Sequence, residues 1–173
     1  MISLRNLLFL AVAVTGSVIP RDVGQVKKDL VTINADTQEV TKAVNGFNGD
    51  LKSAPPILTA QHKLTSDIKT ATDHAKAAGK VNEPDADFII NYISGQFQPS
   101  IDAALSAIKS KKDKFQGAGL AGTVKTSLTQ LKGDADALSD ALIGGAPASR
   151  VDKAKGLKAH ISAGFDDAIK AFN

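Results

Sequence analysis

Apolar residues recur at intervals of three and four along most of the chain, and this spacing places them on one face of a helix. The first stripe consists of Val23, Val26, Leu30, Ile33, Thr37, Val40, Val44 and Phe47. A helix of about 25 residues with this stripe is a rod of roughly 37 Å. No segment keeps the period-two alternation of a half-buried strand. The chain is therefore predicted to be all-α.

Glycine and proline separate the successive stripes. The breaks fall at Pro55-Pro56, Gly79, Gly117 to Gly119 and Gly144-Gly145-Ala146-Pro147. Five amphipathic helices joined by such short turns predict an antiparallel bundle. Pro99 falls inside the third stripe, where a proline removes one backbone donor. The third helix is therefore expected to be kinked or split at Pro99.

Residues 1–17 have the pattern of a secretory signal peptide. Arg5 supplies a positive charge, an apolar run follows from Leu7 to Val14, and Ser17 ends a group of small residues. The run is shorter than the roughly 20 apolar residues that a membrane-spanning helix needs. We therefore expect a secreted protein whose mature part, residues 18–173, is a single helical-bundle domain. The final residues carry no hydrophobic tail, which argues against a lipid anchor.

Composition and motifs exclude several classes of function. The chain has no cysteine, so disulfides, thiolate zinc sites and cysteine nucleophiles are ruled out. The 21 basic and 18 acidic residues give a net charge of +3, too weak a field for a dedicated nucleic-acid binder. The histidines His62, His74 and His160 are too far apart in sequence for a helical metal site. Nucleophile elbows, phosphate loops and metalloprotease helices are missing. We predict a non-catalytic protein without metal or cofactor.

Small and slender side chains dominate the stripes, and they fit either a packed core or an elongated channel for an acyl chain. Burying a methylene contributes roughly 0.8 kcal/mol, so a 16-carbon chain would gain about 12 kcal/mol before ordering costs. The candidate lining residues lie on the stripes of helices two to five, near mid-length. They are Leu64, Ile68, Phe97, Ile101, Leu105, Leu128, Leu131, Leu157 and Ile161. Gln61 and Ser127 lie beside these seams and are predicted at the polar end, with simple exposure as the alternative.

A characteristic series of hydrophobic patterns follows the signal-like segment. The series is Val23-x-x-Val26-x-x-x-Leu30-x-x-Ile33, Val40-x-x-x-Val44-x-x-Phe47, Pro56-Ile57-Leu58, the Ile89–Ile108 segment with Pro99, and Leu128-x-x-Leu131. In this order the chain resembles the fungal hydrophobic surface-binding protein A family, which also contains cell-wall galactomannoproteins. The resemblance covers residues 20–173. It rests on hydrophobic spacing rather than on a chemical motif.

The resemblance implies a secreted or wall-associated helical bundle. Some members of the family bind fatty acids inside the bundle, and others adsorb to hydrophobic surfaces and recruit secreted esterases. We expect a monomeric extracellular lipid-binding module that holds a long-chain fatty acid or similar amphiphile between its helices. The alternatives are a surface-active protein that recruits esterases and a structural cell-wall protein without ligand. The chain has no Ser/Thr-rich stalk, so we expect at most loose attachment to the wall.

Overall fold

The computed structural model describes residues 22–173, and the expected signal peptide lies outside them. Every regular element in this part of the chain is helical. In chain order these are α1 (Val23–Gly46), a 3₁₀ turn (Leu51–Ser53), α2 (Pro55–Ala78), α3 (Glu83–Tyr92), a π-helical segment (Ile93–Phe97), α4 (Gln98–Ser110), α5 (Lys112–Gly117), α6 (Ala121–Gly145) and α7 (Ala148–Ala171). The predicted all-α class is confirmed. No helix among the described residues is long and apolar enough to cross a membrane.

Side-chain caps fix where two of the helices begin. The Asp22 carboxylate accepts a hydrogen bond from the Gln25 amide at 2.8 Å, at the start of α1. At the start of α3, the Asn82 side chain accepts from the Asp85 amide at 2.8 Å. Pro84 occupies the first turn of α3, where its missing N–H costs nothing. These caps satisfy backbone donors that have no partner within the helix.

The third rod of the bundle is interrupted immediately before Pro99. Within it, α3 and α4 are joined by the π segment, and the Gln98 amide donates to the Ile93 carbonyl, five residues earlier. Pro99 itself lies in the first turn of α4. The expected break of the third helix is confirmed. The break is a π segment, a wider helical turn that contains an extra residue. It lies next to Pro99, which has no backbone N–H to donate.

Five rods form a closed ring in the order α1, α2, α6, α7 and the α3–α4 rod. Rods that follow one another in sequence alternate in direction, as an antiparallel bundle requires. A ring with an odd number of alternating rods must nevertheless contain parallel neighbours. Here α4 and α7 run parallel, since Asp102 pairs with His160 and, seven residues on, Lys109 pairs with Asp167. The α1–α4 and α2–α6 neighbours are parallel as well.

Buried aromatic rings close one end of the ring. Phe115, on α5, stacks on Phe47 with ring centroids 4.6 Å apart, and meets Phe172 edge-on at 6.2 Å. The Lys111 ammonium donates to the carbonyl oxygens of Asn45 (2.8 Å) and Phe47 (2.9 Å), at the end of α1. We call this the aromatic end. Its contacts tie the C-terminal ends of α1 and α7 to the short helix α5.

A close backbone crossing of two glycines marks the opposite end, which we call the glycine end. Gly79 ends α2 with a φ of +63°, a left-handed conformation that favours glycine. The Val81 amide donates to the Gly145 carbonyl at 3.0 Å. A Cβ atom on Gly145 would lie only 2.5 Å from the Gly79 carbonyl oxygen. Position 145 therefore requires glycine because of the approaching chain.

Replacing Gly145 by Ala is expected to lower the free energy of unfolding by about 1–3 kcal/mol, because the neighbouring backbone must shift. The matched control is Gly144→Ala, one residue earlier in the same helix, where an added Cβ meets no atom within 4 Å. That variant should leave stability unchanged or raise it by up to about 1 kcal/mol. Urea unfolding of the two variants measures both effects. Equal losses in the two proteins would contradict the crossing.

Candidate functional site

Three apolar cavities lie in file inside the ring. Their volumes, counted as the space open to the centres of water molecules, are about 100, 50 and 70 Å³ from the aromatic end to the glycine end. The aromatic-end cavity is lined by Val40, Val44, Ala54, Ile57, Leu58, Gln61, Ile108, Phe115, Leu120, Thr123, Val124, Ser127, Leu128 and Leu131. The middle cavity is lined by Thr37, Val40, Leu64, Ile68, Phe97, Ile101, Ala104, Leu105, Ile108, Leu128, Leu131 and Phe165.

The glycine-end cavity continues the file beyond the middle cavity. Its walls come from α1, α2, the third rod, α6 and α7. They include Val26, Leu30, Ala75, Ala78, Gly79, Val81, Ala86, Ile89, Ile90, Ile93, Phe97, Ala135, Leu138, Ser139, Ala141, Leu142, Gly145, Ala146, Ala154, Leu157, Lys158 and Ile161. Nearly all of these side chains are apolar. The three cavities together give the bundle an interior that hydrocarbon, rather than water, would fill.

The structure divides the residues chosen from the sequence among these cavities. Seven line the middle cavity together: Leu64, Ile68, Phe97, Ile101, Leu105, Leu128 and Leu131. Leu157 and Ile161 instead line the glycine-end cavity, one or two helical turns away. Gln61 and Ser127 lie at the aromatic-end cavity. The chosen set therefore does not surround one common space.

The lining set predicted from the sequence leaves out α1 and the start of the third rod. Thr37 and Val40 line the middle cavity, Val44 the aromatic-end cavity, and Ile89 and Ile90 the glycine-end cavity. The sequence-based prediction confines the cavity to helices two to five. The signal was available, because the α1 stripe is among the longest in the sequence and a ring gives every rod an inner face.

The aromatic-end cavity adjoins the solvent-exposed surface between α2 and α6. Outside it lies an open groove lined by Leu58, Gln61, His62, Thr65, Ser66, Lys69, Thr123, Ser127 and Gln130. Four of these residues also line the cavity, and they form what we call the portal: Leu58, Gln61, Thr123 and Ser127. The portal forms where the parallel neighbours α2 and α6 bring their N-terminal halves together, with Leu58 and Gln61 in one groove with Thr123 and Ser127.

The portal carries unused hydrogen-bond donors. The Gln61 side chain is buried, and neither its amide nor the Ser127 hydroxyl makes a side-chain hydrogen bond within residues 22–173. An amide N–H₂ and a hydroxyl are suitable donors to a carboxylate. Lys69 lies farther out in the groove and adds a positive charge. The arrangement could hold an anionic head group while its apolar tail enters the cavities.

Ionisable groups elsewhere form structural pairs. Lys63 Nζ lies 2.6 Å from Asp36 and 2.9 Å from Asp67 on the α1–α2 seam. Burial raises the pKa of Asp36, although Lys63 opposes the shift. The Lys63 hydrogen bond lowers the pKa of Asp67, and both carboxylates raise the pKa of Lys63. None of these three residues lines the file of cavities. Within residues 22–173 no group of side chains has the composition of a metal site.

By sequence, the chain is similar to one family model and to cell wall mannoproteins of two Aspergillus species. Residues 23–144 match the family model described as hydrophobic surface binding protein A. Cell wall mannoprotein 1 of Aspergillus flavus is 30% identical over 150 residues, covering 86% of this chain and 54% of the relative. The protein of the same name from Aspergillus fumigatus is 31% identical over 140 residues, covering 81% and 48%. The chain thus spans about half the length of the curated relatives it matches.

Solved structures share the same architecture. The crystal structure of AFMP4P in complex with palmitic acid has a TM-score of 0.85 and 34% identity, and covers 88% of this chain and 100% of that one. Ligand binding domain 1 of the Penicillium marneffei MP1 protein, complexed with arachidonic acids, has a TM-score of 0.81 at 18% identity, over 88% and 97%. At that lower identity the likeness shows the fold alone. By its family-model match and its relatives, the chain belongs to the hydrophobic surface binding protein A family.

Proposed function

We propose that this chain is a non-catalytic lipid-binding module that takes the acyl chain of a long-chain fatty acid into the file of cavities. The observation that carries the proposal is the series of three separate apolar cavities, the first of which lies at a polar portal. Supporting it, the structure that matches 88% of the chain at 34% identity is a complex with palmitic acid. The mechanism is binding alone, and no reaction is required of any side chain.

The acyl chain joins spaces that are separate in the empty protein. The middle cavity, at about 50 Å³, has room for a few water molecules at about 10–15 Å³ each. A long acyl chain needs more than any one cavity provides. Val40, Ile108, Leu128 and Leu131 line both the middle and the aromatic-end cavities. Rotation of the two leucines between staggered rotamers is the least costly way to connect these spaces.

The carboxylate stays at the portal because burying an unpaired charge in the apolar file would be costly. There the Gln61 amide and the Ser127 hydroxyl donate to its oxygens, and Lys69 supplies a nearby positive charge. A carboxylate accepts charge-assisted hydrogen bonds, which are roughly twice as strong as neutral ones. The portal therefore orients the ligand with its head group outward and its methyl end inward.

The proposed setting is extracellular, with the protein monomeric and either free or loosely attached to a cell wall. The cell wall mannoprotein relatives support this location. Adsorption to hydrophobic surfaces is a second candidate function, favoured by two exposed leucines beside the aromatic end. Leu51 is 60% exposed and Leu58 is 44% exposed. Recruitment of secreted esterases to such surfaces is an expectation from the family resemblance.

Calorimetric titration of the delipidated protein with palmitic acid and with its methyl ester tests the proposal. Palmitic acid should bind with one head group at the portal. Gln61→Leu should weaken its affinity at least tenfold, about 1.4 kcal/mol, and should weaken that of the ester less, because the neutral ester carbonyl accepts a weaker hydrogen bond. The matched control is Gln130→Leu, because Gln130 lines the outer groove but not the cavity. A wild-type protein that binds neither ligand would refute the proposal, and equal losses for acid and ester would refute the role of Gln61.

A further inference from the structure

The ring of a single phenylalanine separates the glycine-end cavity from the rest of the file. Phe97 is the one residue that lines both the glycine-end and the middle cavities. By contrast, the middle and aromatic-end cavities share Val40, Ile108, Leu128 and Leu131. The Phe97 side chain is buried. The glycine-end cavity and the middle cavity therefore lie on either side of Phe97.

The walls of the glycine-end cavity fit hydrocarbon and lack a head-group site. Small side chains such as Ala75, Ala78 and Ala141 leave its space open. Its one cationic lining residue, Lys158, is already paired with Asp140 at 2.6 Å. A carboxylate would find no free cation among these lining residues, whereas methylene and methyl groups would meet apolar atoms on nearly every side.

The spacing along α6 sets how long a chain must be to reach this cavity. From Ser127 at the portal to Ala135 in the glycine-end cavity is eight residues, or about 12 Å of helix. To Leu142 it is fifteen residues, or about 22 Å. An extended chain with C–C bonds of about 1.5 Å advances roughly 1.3 Å per bond. Ten carbons thus end near Phe97, whereas sixteen carbons must pass it.

The backbone that carries Phe97 is the part of the third rod where the regular ladder is interrupted. Phe97 is the last residue of the π segment, and Pro99, two residues later, offers no amide hydrogen. Gly95 lies exposed in the same segment, with no atom within 4 Å of where a Cβ would be. Such π segments occur inside α-helices as local interruptions, frequently at functional sites. The Phe97 ring is thus attached to backbone where the regular hydrogen-bond ladder is interrupted.

We propose that the glycine-end cavity is a second acyl compartment and that Phe97 is the partition that only long acyl chains displace. The inference rests on the proposed function, because the chain enters from the portal. Phe97 then determines chain-length specificity. Chains of about ten carbons occupy the portal side alone, and chains of about sixteen extend their methyl ends beyond the ring.

The absence of tryptophan from the sequence provides a direct test. Leu142→Trp would place a single reporter on the wall of the glycine-end cavity, at a partly buried position. Its fluorescence would be titrated with hexadecanoic acid brominated near the methyl end, with hexadecanoic acid brominated near the carboxyl, and with brominated decanoic acid. Bromine quenches an indole on contact. We expect strong quenching by the first probe and little by the other two.

The second experiment measures the fatty-acid affinities of Phe97→Ala and Phe97→Leu. The leucine variant keeps position 97 apolar and therefore still tests the partition if the alanine variant fails to fold. Phe97→Leu should raise the affinity for hexadecanoic acid severalfold and should change the affinity for decanoic acid much less. Phe88→Leu, at an exposed phenylalanine in the same rod, is the control and should change neither. Quenching that does not depend on bromine position, or equal affinity changes for both acids, would overturn the partition. If none of the acids binds, the proposed function fails first.

Discussion

Leu131→Trp is expected to abolish fatty-acid binding while the bundle remains folded. Leu131 is buried and lines both the middle and the aromatic-end cavities, so an indole there fills the route from the portal inward. Overpacking a full core costs about 1–3 kcal/mol, and the existing void should keep the loss near the lower value. Affinity for palmitic acid should fall at least 100-fold, or about 2.7 kcal/mol.

The matched control for this prediction is Leu51→Trp. Leu51 is 60% exposed and lines none of the three cavities. This variant should bind palmitic acid like the wild type and should unfold at the same temperature. Calorimetric binding and thermal unfolding are measured on both proteins. A large stability loss in Leu131→Trp, together with a wild-type protein that never binds lipid, would identify a plainly packed bundle.

Phe115→Ala is expected to produce the largest loss of stability, about 3–5 kcal/mol. The Phe115 side chain is only 2% exposed, stacks on Phe47 and meets Phe172 edge-on. Its removal leaves a void where the ends of α1 and α7 meet α5. Urea unfolding of lipid-free protein measures the change, and an unchanged m-value would show that the unfolding transition is comparable.

Phe88→Ala is the corresponding control at an exposed ring. Phe88 is 47% exposed, and its ring contacts Tyr92 and the Lys27 ammonium. These surface contacts should cost about 1 kcal/mol or less when they are lost. If Phe115→Ala were no more destabilising than Phe88→Ala, the aromatic end could not be a consolidated part of the core.

Local pattern was sufficient for the elements but not for their arrangement. The helix caps at Asp22 and Asn82 and the interruption at Pro99 depend only on residues close together in sequence, so local sequence is enough to predict them. Local sequence does not predict the form of the interruption, because a missing donor can be accommodated by a kink or by an inserted residue. The order of the helices in the ring likewise cannot be predicted from the apolar stripes. The stripes therefore predict one common cavity that includes Leu157 and Ile161, although the axial position of α7 puts these two residues at the glycine-end cavity.

The portal is a second feature that the apolar stripes alone do not predict. Gln61 and Ser127 are predicted at the polar end because each lies beside the apolar seam of its own helix. They meet because α2 and α6 are parallel neighbours that are not consecutive in sequence. Their predicted role in holding a head group stays a prediction. Their proximity is a property of the ring that neither stripe encodes.

The number of rods in the ring has a geometric consequence for what the interior must contain. Five helices with axes about 9 Å apart stand about 8 Å from the common centre, whereas four would stand about 6 Å from it. Leucine side chains that point inward nearly reach the centre of a four-helix ring. The alanines at 71, 75 and 78 are far too short to reach the centre of a five-helix ring. A ring of five helices therefore leaves space at its centre unless bulkier side chains fill it. Ligand preference in such a fold can change one methyl group at a time while helix boundaries and turns stay as they are.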